Sequence, residues 1–330
     1  MSQAENIHII QESAEGMRLD RWLCKQFTDI PYVTWAKLCR KGSVRLNGKR
    51  VKGAEHLKEG DQVRVPPVSF LDTLSEEKRS KHKKKTILSQ KDIDLFQSFI
   101  IYEDDHLLCI NKPSGLASQG GTNIKKSVDM LAVAWGEKKN IRPKLLHRLD
   151  RDTSGLLMLA KNDQTARKMG KKLKEGKIGK FYVALLKGVP HPLQSRIIAP
   201  IEKGTLGDKE KMMVSESGQK TVTDYEIVEH LGKKMSIALL APQTGRTHQL
   251  RVHMAYLGTP IIGDFKYGEG EDLDCDCLCL HAYTVKAPGI PKNIKCDFPP
   301  HIKKTLSALG INEKELKESL KKRIASFSKA

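Results

Sequence analysis

The sequence predicts an α+β protein built in two parts, and three observations carry that prediction. A chain of 330 residues has room for two domains of ordinary size. Pro66-Pro67 and then the block Lys78-Arg79-Ser80-Lys81-His82-Lys83-Lys84-Lys85 separate a short front segment from a long rear one, because a run of like charges cannot fold by itself. The rear segment carries many short apolar runs of strand type between a few helical patterns, as in a mostly antiparallel mixed sheet flanked by helices. The resulting domain reading is an N-terminal extension over 1–16, a small α/β domain over 17–66, a basic flexible linker over 67–97, a large domain over 98–310 and a basic tail over 311–330.

In chain order, Arg18 to Leu23 opens a helix with apolar residues at three- and four-residue steps, and Thr34 to Lys41 forms a second helix stopped by Gly42. Ser43 to Leu46 and Gln62 to Val65 read as strands, with Asn47-Gly48 as a tight turn. Beyond the linker, Ile100 to Lys112 gives two strands around Glu103-Asp104-Asp105. Leu156 to Lys161 is a buried strand by its continuous apolar run, and Asn162 opens a helix that ends near Gly176. Further strands fall at Phe181–Val189, Thr221–Val228, Met235–Ala241 and Leu278–Val285. Thr247 to Leu257 is a helix that Gly258 stops, and Glu313 to Lys322 is a basic amphipathic helix.

Composition narrows the function. Lys and Arg number 58 against 39 Asp and Glu, a formal charge of +19, which points to a polyanionic partner and above all to nucleic acid. Apolar runs such as Leu107 to Ile110 are too short to span a membrane, and Met1 to Gly16 lacks the basic and apolar regions of a signal peptide, so the expected location is the cytoplasm. Seven cysteines, an odd number, fit reduced thiols rather than a disulfide framework. Cys275, Cys277 and Cys279, with Asp274, Asp276 and His281 nearby, could be a metal site. Their alternate spacing and the lack of a C-x-x-C pair favour one face of a buried strand, and no metal is expected. Nor is a cofactor: no phosphate loop or dinucleotide fingerprint is present.

The most informative stretch is His147-Arg148-Leu149-Asp150-Arg151-Asp152-Thr153-Ser154-Gly155. It places Asp150 between two arginines at the mouth of a buried strand, where flanking cations favour the ionised carboxylate. An ionised carboxylate suits a nucleophile, a weak base or an electrostatic stabiliser. The same residue types also make ordinary structural ion pairs, and the chemistry alone does not choose. Tyr182, within Lys180-Phe181-Tyr182-Val183-Ala184-Leu185, is by itself a core tyrosine. His248 and His253 lie five apart, not at the spacing of a helical zinc pair, and read as hydrogen-bonding residues.

Taken together, these motifs resemble the RluA-type pseudouridine synthases, and in particular the RluC branch. The Asp150 motif, the Tyr182 motif closed by Gly188, and Thr244-Gly245-Arg246-Thr247-His248-Gln249-Leu250-Arg251-Val252-His253 occur in the family's order. The resemblance implies a pseudouridine synthase domain in which Asp150 is catalytic, Tyr182 stacks on the base, Arg246 ion-pairs with Asp150, Leu250 packs on the base and Arg148 fills the space the flipped base leaves. Asn111-Lys112-Pro113-Ser114-Gly115 resembles a segment before the active site, with Lys112 supportive. Residues 18–66 resemble the S4 RNA-binding domain, through Arg18-Leu19-Asp20-Arg21, Lys41-Gly42-Ser43-Val44 and Gly60-Asp61-Gln62-Val63; Arg18, Arg21, Lys37, Arg40, Lys41, Arg45, Lys49 and Arg50 would supply its RNA face. The implied function is cofactor-free isomerisation of uridines in 23S, large-subunit ribosomal RNA or its precursor, by a monomer. Transfer RNA as substrate, a non-catalytic ribosome assembly factor and a charge-driven nucleic-acid binder are the alternatives. The Cys275–Cys279 run and Lys211 depart from the family pattern.

Overall fold

The computed structural model describes residues 6–67, 88–121, 124–206, 209–268, 275–291 and 294–327. The Lys78–Lys85 block and Asp274 lie outside them. The chain divides into two compact units, the second beginning at residue 87.

In the first unit, β1 (Asn6–Ile9), α1 (Leu19–Gln26), α2 (Tyr32–Lys41), β2 (Arg45–Leu46), β3 (Lys49–Arg50) and β4 (Gln62–Val65) follow in order. The sheet runs β1-β4-β2-β3. Leu19, Trp22 and Leu23 of α1 meet Trp35 and Leu38 of α2 over Val44, Val63 and Val65 in one core. Gly42 ends α2 at φ 76°, and Asn47 and Gly48, at φ 49° and 76°, make the turn between β2 and β3. Strand β1 lies within the N-terminal extension of the sequence reading, yet its backbone pairs with β4 and completes this sheet.

The second unit contains α3 (Gln90–Ser98), β5 (Ile100–Glu103), β6 (Leu107–Lys112), α4 (Val128–Glu137), β7 (Lys144–Leu145), β8 (Ser154–Ala160), α5 (Asp163–Lys174), β9 (Gly179–Lys187), β10 (Gln194–Ile198), β11 (Ile201–Leu206), β12 (Lys209–Val214), β13 (Val222–Leu231), β14 (Met235–Pro242), α6 (Gln249–Tyr256), β15 (Leu280–Lys286), α7 (Pro300–Ala308) and α8 (Glu313–Ser326). The large sheet runs β10-β13-β14-β9-β15-β8-β6-β5, with β7 on the far end of β8, while β11 and β12 form a separate hairpin. Every pairing in the large sheet is antiparallel except β15 with β8. The α+β reading with a mostly antiparallel mixed sheet holds. The central strands β8 and β9 are apolar along most of their length because both faces are covered.

Three sequence expectations are corrected here. Helix α3 falls at the end of the expected linker. Ser89 caps it in a reciprocal pair with Asp92, and Phe96 joins the core of the second unit. The helix expected over Glu313 to Lys322 is present as α8, but it belongs to the second unit and is not a tail: Leu316, Leu320 and Ile324 lie in the same core. Cys275, Cys277 and Cys279 precede β15 instead of lying along a strand, so they do not share a face. Cys275 and Cys279 are buried with their sulfurs 3.3 Å apart, while Cys277 is half-buried and its carbonyl oxygen accepts from Cys275. Among the described residues, no helix is long and apolar enough to cross a membrane.

Candidate active site

The loop that carries Asp150 ends where β8 begins, and a glycine allows that junction. Gly155 has φ +109°, and a Cβ there would come within 2.2 Å of the Ala282 carbonyl oxygen. Only glycine lets β15 close on β8 at this point.

Behind the loop lies a dense set of hydrogen bonds. The Lys112 side chain is fully buried, and its Nζ donates to the carbonyls of Pro113 (2.9 Å), Leu116 (2.7 Å) and Arg151 (2.9 Å). Ser114 Oγ donates to the Asp152 carbonyl at 2.7 Å, and Gly115 N–H to that of Arg151 at 2.9 Å. Ser118 Oγ donates to the Leu149 carbonyl at 2.6 Å and accepts from its N–H at 3.0 Å. His147 Nε2 accepts the Met158 N–H at 3.1 Å, which places the ring hydrogen on Nδ1, a buried atom with no partner among the described residues. Burial, with the nearby charge of Lys180, pushes His147 down to about 3. Burial also pushes the Lys112 ammonium down to about 7, against the opposing charges of Asp152 and Asp150.

A pocket of about 460 Å³ opens in front of the loop. Arg148, Asp150 and Thr153 line it from the loop, Lys180 and Tyr182 from β9, and Leu280 from β15. Another wall is the turn Thr244-Gly245-Arg246 and the start of α6, with His248, Leu250 and Arg251. Lys180 and Tyr182 are two apart on one strand and so face the same side. Leu250 and Leu280 are buried and supply apolar surface.

Asp150 is about a quarter exposed (27%), and its Oδ2 lies 4.0 Å from His248 Nε2. His248 holds a left-handed conformation, φ 56°, just before α6. Its Nδ1 lies 2.7 Å from the Tyr267 hydroxyl, which already accepts the Met212 N–H at 3.2 Å. With that acceptor site used, the phenol is suited to donate to Nδ1, the arrangement in which the histidine hydrogen sits on Nε2, facing Asp150. Burial lowers the His248 pKa, against the pull of Asp150. Arg251 is committed to a buried two-pronged pair with Asp264, at 2.8 and 2.6 Å. Burial and the charge of Asp150 push the Tyr182 phenol well above its ordinary range, so it is a poor source of phenolate.

Residues 106–256 match the profile of a family described as RNA pseudouridylate synthase, and residues 17–63 match the S4 domain. The ribosomal large subunit pseudouridine synthase C of Escherichia coli (strain K12) is 36% identical over 274 residues, 82% of each chain. The protein of the same name from Buchnera aphidicola subsp. Baizongia pistaciae is 36% identical over 261 residues, 78% of this chain and 79% of that one. Human RNA pseudouridylate synthase domain containing 4 superposes with a TM-score of 0.59 at 25% identity, covering 68% of this chain and 99% of that one. The chain belongs to the RNA pseudouridylate synthase family. It is an RNA pseudouridine synthase, an isomerase.

This synthase brings together in one pocket Asp150, Tyr182, Arg246, Arg148 and Leu250, all named from the sequence. Lys112 lies behind the Asp150 loop and holds its backbone. Two electrostatic expectations are corrected. Arg246 is exposed and, among the described residues, makes no ion pair with Asp150; the Thr244 hydroxyl and the Arg246 N–H tie the turn to Gln249. Arg151 pairs with Asp152 at 3.1 Å, so it does not flank Asp150 as a counter-charge. His253 takes the hydrogen-bonding role expected of it, with a nitrogen 2.9 Å from each of the Thr221 and Thr223 hydroxyls.

Residues missed by the sequence reading are His248 as the neighbour of Asp150, His147 as a pocket wall, and Lys180. A signal for the last was present, since a lysine two residues before a pocket tyrosine must share its face. In the S4 unit, Arg21, Lys37, Arg40, Lys41, Lys49 and Arg50 are exposed. Arg18 is tied to Asp20 at 2.5 Å and Arg45 is half-buried. Arg45 pairs in register with both Arg50 and Arg64, a crowding of like charge that a polyanion would relieve.

Proposed function

We propose that this synthase converts uridines of large-subunit (23S) ribosomal RNA to pseudouridine, with Asp150 acting at C1′ of a uridine flipped into the pocket. The observation that carries the reading is Asp150 itself: a partly exposed carboxylate on a loop braced at several points, opposite Tyr182 and Leu250. Isomerisation breaks the N1–C1′ bond, turns the detached base and joins C5 to C1′. Positive character grows on the sugar, and a fixed carboxylate beside it can attack or stabilise that centre, or take a proton from C2′. Tyr182 and Leu250 hold the base between them, and Tyr182 acts as a neutral phenol. Arg148, exposed at the pocket mouth, takes the place of the base in the RNA stack. Arg246 reaches Asp150 once RNA closes over the turn. Lys112 positions the loop. No cofactor enters the reaction, and the protein works as a cytoplasmic monomer.

The names of the relatives support the ribosomal substrate, and the S4 unit supports RNA binding through phosphate contacts by its exposed cations. The test is a carbodiimide and primer-extension map of ribosomal RNA from cells lacking the protein, complemented with wild type or Asp150→Asn. Sites that vanish and return only with wild type are expected. Unchanged ribosomal sites would sink the ribosomal substrate and turn attention to transfer RNA. Restoration by Asp150→Asn would remove Asp150 from the chemistry.

A further inference from the structure

Of the cations that line the pocket, only Lys180 is sheltered and unspent. Arg251 is held by Asp264, and Arg148 and Arg246 are exposed. Lys180 is half-buried, and its ammonium makes no hydrogen bond or ion pair among the described residues. The turn before α6 lies against it: a Cβ on Gly245 would sit 3.4 Å from Nζ. A sheltered charge without a partner is costly unless an anion arrives to meet it. Burial lowers its pKa, as expected for a cation held without an anion. It shares its strand face with Tyr182, which places it at the base end of the bound uridine rather than at the sugar.

We propose that Lys180 is a catalytic residue that carries the negative charge of the detached uracil. This rests on the reading above. When the N1–C1′ bond breaks, both its electrons leave with the base, and the charge spreads over N1, O2 and O4. The sugar centre is met by Asp150. An ammonium beside a ring carbonyl stabilises this anion before and after the base turns. C5 then bonds to C1′, the proton on C5 is released, and N1 takes up one proton, so the product is an isomer with no net change in protons. Because the charge is absent from the bound substrate, the contact favours the transition state over the ground state.

The test uses the full chain and total RNA from cells lacking the protein, labelled with 5-tritiated uridine, under single turnover. Tritium release by wild type checks the underlying reading on any RNA substrate; its absence would end that reading, and this proposal with it. With wild type active, Lys180→Met is expected to slow release roughly 100-fold or more, with RNA affinity by filter binding within about 3-fold. Lys180→Arg should recover part of the rate. The deciding readout is RNA carrying 5-fluorouridine, in which fluorine already stabilises the base anion, with base loss from N1–C1′ followed by nuclease digestion and mass spectrometry. The Lys180→Met deficit should shrink there by roughly tenfold, as a Brønsted dependence on the leaving group requires. Equal deficits on the two RNAs would overturn the proposal, as would a loss confined to RNA affinity, which would make Lys180 a phosphate contact. An unchanged rate would overturn it outright.

Discussion

The two walls of the pocket are built differently. The wall that carries Asp150 is braced from behind by Lys112, Ser114, Ser118 and His147, each bonded to backbone. On the facing wall, Thr244 and Gln249 hold the turn and Arg251 is fixed by Asp264, but the Arg246 side chain is exposed and makes no hydrogen bond or ion pair among the described residues. One wall is therefore pre-organised, and its stability is coupled to its function. The other contributes a side chain whose position RNA must decide. Substitutions at the bracing residues of the first should lower stability and activity together; substitution of Arg246 in the second should lower activity alone.

The largest effect is expected at Lys112. Lys112→Met keeps the stem but leaves the carbonyls of Pro113 and Leu116 without their donor and that of Arg151 with the Gly115 N–H alone. A loss of about 3–5 kcal/mol follows from unpaired buried groups of this kind. Hydrogen-exchange mass spectrometry should find the lost protection concentrated in 113–118 and 147–153, with turnover falling in parallel. A variant as stable as wild type with unchanged protection would show that the loop holds itself.

The braced wall and its neighbouring strands should also be the acid-sensitive part of the molecule. His147 is held down to about 3 and His281 to about 4, and burial lowers His253 as well. Each ring binds a proton more readily unfolded than folded. Between the folded values and about 6.5, the unfolded state therefore carries more protons, and stability falls as pH falls through that window. His281 alone, fully buried beside Ser154, accounts for about 3 kcal/mol by pH 4. Urea midpoints measured from pH 7 to pH 4 should drop accordingly, and His281→Gln should flatten the curve. A midpoint independent of pH over this range would contradict the neutral, buried state of these rings.

What the sequence reveals divides along the same line. The strands named from the sequence, Gly42, Asn47-Gly48 and the Asp150 motif are written in local patterns of period and turn chemistry; β10, β11 and β12 are not among those strands. Lys180 and Tyr182 share a face by strand alternation, which is also local. The three carbonyls around Lys112 come from residues up to 39 positions away, and no periodicity encodes them. His248 meets Asp150 across 98 positions through a left-handed residue that spacing cannot announce. Helix α3 was legible in the Ser89–Asp92 cap, but the charge block before it drew the boundary too late. The cysteines read as a strand because alternate spacing is all that a sequence offers there; the turn that brings Cys275 onto Cys279 is tertiary.

Arg246 offers the finest test of the contrast, because its effect on stability should be nil. Its side chain is exposed and contacts nothing that folding requires, so Arg246→Ala should leave the thermal midpoint unchanged within the scatter of surface substitutions, about 0.5 kcal/mol. If RNA brings the guanidinium to Asp150, single-turnover isomerisation should fall by roughly 10²-fold, the size of one lost charge-assisted contact in a transition state. A double variant, Arg246→Ala with Asp150→Asn, should then be no slower than Asp150→Asn alone, because the arginine would act only through the carboxylate. If instead the two losses add, Arg246 serves the RNA backbone independently, and aiming Asp150 falls to groups already beside it, such as His248.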